Sequence, residues 1–165
     1  MTVVIILTLA AAILAFLNRE NIAEKKAMQD SNTFLIIANG KQTIVTMDDI
    51  TALEPCVVNA NYKSSGENPV EKQYTGVSLK SVVDYFNIDY SKAKSVSFTA
   101  ADGYASVIPI SDALDEENCF IVIEEDGKPL GTKENGGSGP YMMILPNDQF
   151  SQRWCKFLLE IEIKN

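Results

Sequence analysis

The sequence predicts an α+β fold that is mostly β, with mixed sheets and short helices, preceded by an N-terminal hydrophobic helix. Three observations carry that expectation. From Phe34 onward the chain is punctuated at short intervals by Asn-Gly, Asp-Gly and Pro, which leaves brief β-prone runs between turns. The clearest amphipathic helix is the segment after Ser78, where Leu79, Val82, Val83 and Phe86 keep helical spacing. Strands and helices do not alternate in the regular way that a doubly wound parallel sheet requires.

Taken in order, Val3–Leu17 is an apolar run interrupted only by Thr8. It is shorter than the ~20 residues of a straight spanning helix and suits a signal anchor or a signal peptide. The expectation is a membrane tether through residues 3–17, with the rest extracytoplasmic. Arg19, Lys25 and Lys26 follow the run and by themselves argue for the opposite topology. Residues 1–18 are thus assigned to the anchor, 19–32 to a polar stalk and 33–165 to one folded domain.

In that domain Phe34–Ala38, Asn39-Gly40 and Lys41–Thr46 predict a hairpin with a type I′ turn. Thr46 caps a short helix that Pro55 ends, with Asp48 and Asp49 in its first turn. Cys56–Tyr62 and Val70–Tyr74 are predicted strands, and Thr75-Gly76 a turn before the Ser78-capped helix. Ser95–Ala100, a turn at Asp102-Gly103, and Tyr104–Ile110 form a second hairpin, with Pro109 marking an edge. Ser111–Leu114 is one capped turn. Phe120–Ile123, an Asp126-Gly127 turn, a glycine-rich loop at Gly131–Gly139, and strands at Tyr141–Leu145 and Lys156–Ile163 complete the chain.

Composition limits the chemistry. The 165 residues carry a formal charge of −8, a pI near 4.5 and no histidine. No basic stretch offers a phosphate-backbone footprint, so nucleic acid is not an expected partner. Without histidine there is no Ser-His-Asp or Cys-His arrangement and no histidine-ligated zinc. Arg153 is the only arginine of the folded domain. Cys56, Cys119 and Cys155 form no C-x-x-C pair. Cys119 suits a buried position, and the cysteine count leaves at least one thiol free. Asn135–Tyr141 (NGGSGPY) has three glycines in four positions, but matches neither a dinucleotide fingerprint nor a P-loop. Asp102 is expected to cap its own turn.

The order of these pieces resembles the sulfite oxidase-like, molybdopterin-binding oxidoreductase domain. The similar segments are YTGVSLKSVVDYFNI (Tyr74–Ile88), VSFTAADGYASVIP (Val96–Pro109), IEEDGKPL (Ile123–Leu130), GGSGPYMMILP (Gly136–Pro146) and RWCKFLLEIEI (Arg153–Ile163). The resemblance implies that fold and, for a complete member, molybdenum held by a cysteine thiolate. By this alignment the ligand position falls near Lys63–Ser65, where no cysteine stands. It also implies a site where Asp102, Tyr104, Gly136, Gly137, Gly139, Tyr141 and Arg153 converge.

Two readings follow. The preferred one is a tethered ligand- or partner-binding module that is cofactor-free and non-catalytic. The alternative is a small molybdopterin-dependent oxidoreductase with Cys56 as metal ligand, Cys155 being the other cysteine considered for exposure. Thiol-based partnering with a redox or membrane protein through Cys155 is a third possibility.

Overall fold

The computed structural model describes residues 27–63 and 68–165. The apolar run Val3–Leu17 and most of the stalk lie outside them. Among the described residues no helix is long and apolar enough to cross a membrane.

From Thr33 on, the described residues form ten strands and three short α-helices, in chain order β1 (Thr33–Ala38), β2 (Lys41–Thr46), α1 (Met47–Ala52), β3 (Cys56–Tyr62), β4 (Val70–Ser78), α2 (Leu79–Tyr85), β5 (Ser95–Ala100), β6 (Ala105–Pro109), α3 (Ile110–Ala113), β7 (Phe120–Glu125), β8 (Lys128–Pro129), β9 (Met142–Ile144) and β10 (Leu158–Lys164). They form two sheets. One runs β2-β1-β10-β5-β6, and its β1–β10 pair is parallel. The other runs β3-β4-β7-β8, with β9 also pairing with β7. This is the α+β, mostly β architecture that the sequence predicts.

Local chemistry explains most boundaries. Asn39 and Gly40 both take positive φ (51° and 75°), as do Asp126 and Gly127 (51° and 72°), which is what a type I′ turn demands. At α1 the Thr46 hydroxyl accepts from the Asp49 amide (3.2 Å), and the Asp49 carboxylate accepts from the Thr46 amide (2.8 Å), a reciprocal cap. Ser78 caps α2 through the Ser81 amide at 3.0 Å. Helix α3 begins after Pro109 and has no side-chain cap, so the cap expected in Ser111–Leu114 is not made.

One expected turn is not there. At Thr75-Gly76 strand β4 runs straight on and β7 bulges opposite it, one extra residue, Ile123, standing between the partners Glu124 and Val122. Gly76 is required for a different reason: a Cβ there would sit 2.3 Å from the Ile121 carbonyl oxygen. The core lies between the sheets. β1 buries alternate residues (Phe34, Ile36, Ala38), β5 gives Val96, Phe98 and Ala100, and β7 gives Phe120, Ile121 and Val122. Burial sets the registers of β1 and β5, since a one-residue slip would turn their alternating sets to water.

Candidate functional site

Strand registers in the second sheet place a row of polar and aromatic side chains on one face. Val58 lies opposite Tyr74, and Ala60 opposite Lys72. Tyr74 lies opposite Glu125, which lies opposite Lys128. Directly opposed residues share a face, and so do residues two apart on one strand, so Tyr62, Lys72, Tyr74, Glu125 and Lys128 gather together. The loop at Gly136–Ser138 and Lys156 close over them, leaving a cleft of about 370 Å³.

A second cleft of about 370 Å³ adjoins it, lined among others by Lys63, Asp102, Tyr104, Trp154 and Phe157. Tyr62 and Lys156 line both clefts. The Lys156 ammonium donates to the Tyr62 hydroxyl at 3.1 Å and lies 4.8 Å from its ring centre; the Lys72 ammonium lies 5.0 Å from the same ring. Trp154 packs edge-on to Tyr74 at 5.6 Å and tilted to Tyr62 at 6.0 Å. Lys72 is ion-paired with Glu125. Three lysines against one glutamate make the first cleft cationic in a chain of net charge −8.

The glycine-rich loop contributes to this wall, but not through free amides. The amides of Gly136, Gly137, Ser138 and Gly139 donate to the carbonyls of Lys133, Thr132, Leu130 and Gly131 respectively, at 2.8–3.1 Å. A Cβ on Gly137 would lie 2.1 Å from the Leu130 carbonyl oxygen, and one on Gly139 2.6 Å from the Leu130 Cβ. Those two glycines therefore serve the close packing of the loop on Leu130-Gly131. Gly136 and Gly137 still line the cleft, whereas Gly139 is not among its lining residues.

The other sequence-predicted residues divide. Asp102 and Tyr104 reach the second cleft. Asp102 Oδ1 accepts from the Tyr104 amide at 3.1 Å, the expected turn cap, and the Tyr104 hydroxyl donates to the Gln152 carbonyl at 2.6 Å. Tyr141 is a correction: it is fully buried, stacks edge-on against Phe34 at 4.9 Å, and donates its hydroxyl to the Asn32 carbonyl at 2.7 Å. Arg153 is another. Its guanidinium is held by two hydrogen bonds to Asp148, the Nε one at 2.7 Å, and lies 3.8 Å from Asp112. Asp148 first, with Asp112 assisting, raises its already high pKa. It lines neither cleft.

The cysteines are spread apart. Cys56 is exposed at the start of β3, and Tyr62 ends that strand, which places them about 20 Å apart at ~3.3 Å per residue. Cys119 and Cys155 are fully buried. Burial pushes the Cys119 thiol far up. Burial, and then the Asp102 carboxylate, push the Cys155 thiol from 9.0 to about 12. Both therefore stay protonated, poor metal ligands and poor nucleophiles, at neutral pH. The exposure considered for Cys155 is thus not found.

Sequence reasoning did not single out Tyr62, Lys72, Tyr74, Glu125, Lys128 or Lys156. The one signal available was the Lys72–Tyr74 spacing, which puts both on a single strand face.

Together these features define a two-sheet α+β domain with paired clefts, one of them strongly cationic, meeting at an aromatic cluster. The chain belongs to the oxidoreductase molybdopterin-binding domain family, whose model matches residues 38–165. One of 28 matching solved chains, the sulfane dehydrogenase SoxCD from Paracoccus pantotrophus, superposes with a TM-score of 0.67 at 16% identity. The match covers 82% of this chain and 38% of that one, so the likeness shows the fold. No curated protein matches the sequence.

The family's cofactor can be tested against the residues present. The paired clefts offer ammonium groups, phenols, indole and carboxylates, but no thiol; their one sulfur is the thioether of the buried Met142. Among the described residues no cluster of three or more Cys, Asp or Glu side chains stands ready for a metal. A thiolate-held molybdenum does not fit this donor set. The anionic, ring-bearing organic part of such a cofactor does: its charge would meet Lys72, Lys128 and Lys156, and its ring the Tyr62–Trp154–Tyr74 wall.

Proposed function

We propose that this chain is a tethered, extracytoplasmic binding module that keeps the molybdopterin-type fold and takes an anionic, ring-bearing ligand into the cationic cleft without thiolate-bound metal. The observation that carries the reading is the pairing of that lysine-lined cleft with cysteines that are either sealed in the core or about 20 Å away along β3. The tether rests on the apolar run Val3–Leu17. A partner protein, on this reading, would be a membrane or redox protein that delivers or receives the ligand.

The family match favours a second reading, a small molybdopterin-dependent oxidoreductase with Cys56 as ligand. Elemental analysis of the full chain, purified with its membrane fraction from a host that makes molybdoenzymes, separates the two. The proposed reading expects molybdenum far below one equivalent and a Cys56 thiol open to alkylation in native protein. Near-stoichiometric molybdenum with a blocked Cys56 would overturn it.

A further inference from the structure

Strand β3 forms one edge of the second sheet. Cys56–Tyr62 pair with β4 in one unbroken register, and none of them is charged or a proline. The other sheet edges are blunted: β2 begins at Lys41, β6 ends at Pro109, and β8 has only two residues. A long, regular, uncharged edge is a template for another strand.

Hydrogen bonds on β4 show which backbone groups of β3 are open. The Gln73 amide donates to the Asp126 carboxylate at 3.1 Å, and the Gln73 carbonyl accepts from the Asp126 amide at 2.8 Å. Gln73 therefore faces β7, and Asn59, its partner on β3, turns its N–H and C=O off the sheet. By the alternation of an antiparallel ladder Val57 and Asn61 do the same, and among the described residues these groups have no backbone partner. All three residues are exposed. Lys63 continues the alternation but is closed: its amide donates to the Ser151 hydroxyl at 3.1 Å, which donates to its carbonyl at 2.7 Å.

The two ends of β3 carry opposite charge. Glu54, just before the strand, is exposed, and Lys63 directly follows it. Among the described residues neither makes an ion pair.

We infer that β3 pairs antiparallel with β3 of a second copy of this chain, about a two-fold axis at Asn59, so that the second sheet continues across a dimer. In that register Asn59 exchanges both backbone bonds with its counterpart, and Val57 does so with the partner's Asn61. Every open group of the edge is then matched. Pro55, which has no N–H, falls opposite the partner's Lys63, whose backbone groups Ser151 already holds, so the ladder stops where neither copy has groups to offer. The same register brings Glu54 alongside the partner's Lys63 at both ends, whereas a parallel pairing would set like charges together. The inference is independent of what the cationic cleft binds.

Sedimentation velocity on the full chain in detergent should find a dimer whose dissociation constant rises about five- to thirtyfold in Glu54→Lys and in Lys63→Glu, because each symmetric dimer holds two such charge pairs. The double exchange, Glu54→Lys with Lys63→Glu, should restore it. The register has its own readout. Asn59 and its counterpart would lie about 5.5 Å apart between Cα atoms, within the range of about 4.4–6.8 Å that a disulfide spans. Copper–phenanthroline oxidation in air should therefore link Asn59→Cys, in a Cys56→Ser background, into a covalent dimer. Parent protein should link poorly, since its exposed Cys56 would stand ~20 Å from its counterpart along the paired strands. Cys119 and Cys155 are buried and take no part. A monomer at every concentration tested overturns the inference. So does a dimer that ignores both charge reversals and fails to link through Asn59→Cys, which would place the contact elsewhere, in the apolar run Val3–Leu17 for example. Parent protein linking through Cys56 as fast as the Asn59→Cys variant would overturn the register and with it the proposed pairing.

Discussion

Replacing Arg153 by Met gives a sharp test of the site, because sequence and structure predict different outcomes. As the domain's only arginine it is the natural anion clamp on sequence grounds, and its loss should then abolish ligand binding. In the structure the guanidinium is spent on Asp148, whose side chain is only 14% exposed, with Asp112 at 3.8 Å. An exposed pair contributes about 0–1 kcal/mol, and breaking a fully buried one costs about 3–5 kcal/mol. Arg153 is 41% exposed, so solvent screens much of the interaction. The expected loss is therefore about 1–2 kcal/mol. In a domain of this size each kcal/mol moves the melting temperature by about 2–4 °C, giving a drop of about 2–8 °C. The gap between parent and variant should narrow in high salt. Scanning calorimetry reads the stability and titration with phenyl phosphate reads the affinity. A variant that melts normally but no longer binds phosphate would refute the reasoning and return Arg153 to the site.

Gly137→Ala should destabilise the chain by about 1–3 kcal/mol or abolish folding, since its Cβ would meet the Leu130 carbonyl oxygen at 2.1 Å, and comparing denaturation midpoints with parent protein checks it. Titration with a thiol reagent should find one fast-reacting cysteine in native protein, Cys56, and the other two only after denaturation. Stability should be flat around neutral pH and fall above about pH 9. The sign follows from the buried Cys155 thiol, whose pKa rises from 9.0 to about 12 on folding: between those values the unfolded chain has lost its proton and the native one has not, so alkali favours unfolding. Denaturant melts at pH 7.5, 9 and 10.5 check this, and rising stability across that range would contradict it. Glu125→Gln should tighten phenyl phosphate binding several-fold by removing the cleft's one anion and freeing Lys72, and weaker binding would count against the charge argument.

Where the fold was legible, the reason was local. Asn39-Gly40 and Asp126-Gly127 announce their turns because only such residues take positive φ cheaply, and Thr46 announces α1 because its cap closes within four residues. Gly76 shows the limit. It carries the same turn signal, yet it is a glycine because β7 passes within touching distance, and nothing in the flanking sequence reports a strand that lies forty-odd residues on. The site was less legible for the same reason. Lys156 and Tyr62 are 94 residues apart, and Lys72 and Glu125 are 53 apart. A lysine on a strand reads as solvated surface until the strand's neighbours are known. Arg153 misled in the opposite sense: scarcity made it conspicuous, while its partner Asp148, five residues upstream, was the better clue.

Charge ties these pieces together. Tyr62 ends β3, next to the position where the family resemblance expects a metal-ligating thiolate, and two lysines lie against its ring. Three ammoniums with no cysteine among them repel a metal cation and leave it without a thiolate ligand. The same three ammoniums and an aromatic wall favour an anion carrying a ring. The rest of the chain, more negative than the whole, repels such a ligand at long range, and the attraction acts only once the anion is inside a Debye length of the lysines. The cleft thus favours ligands able to come close, and selection falls to the short-range groups that line it.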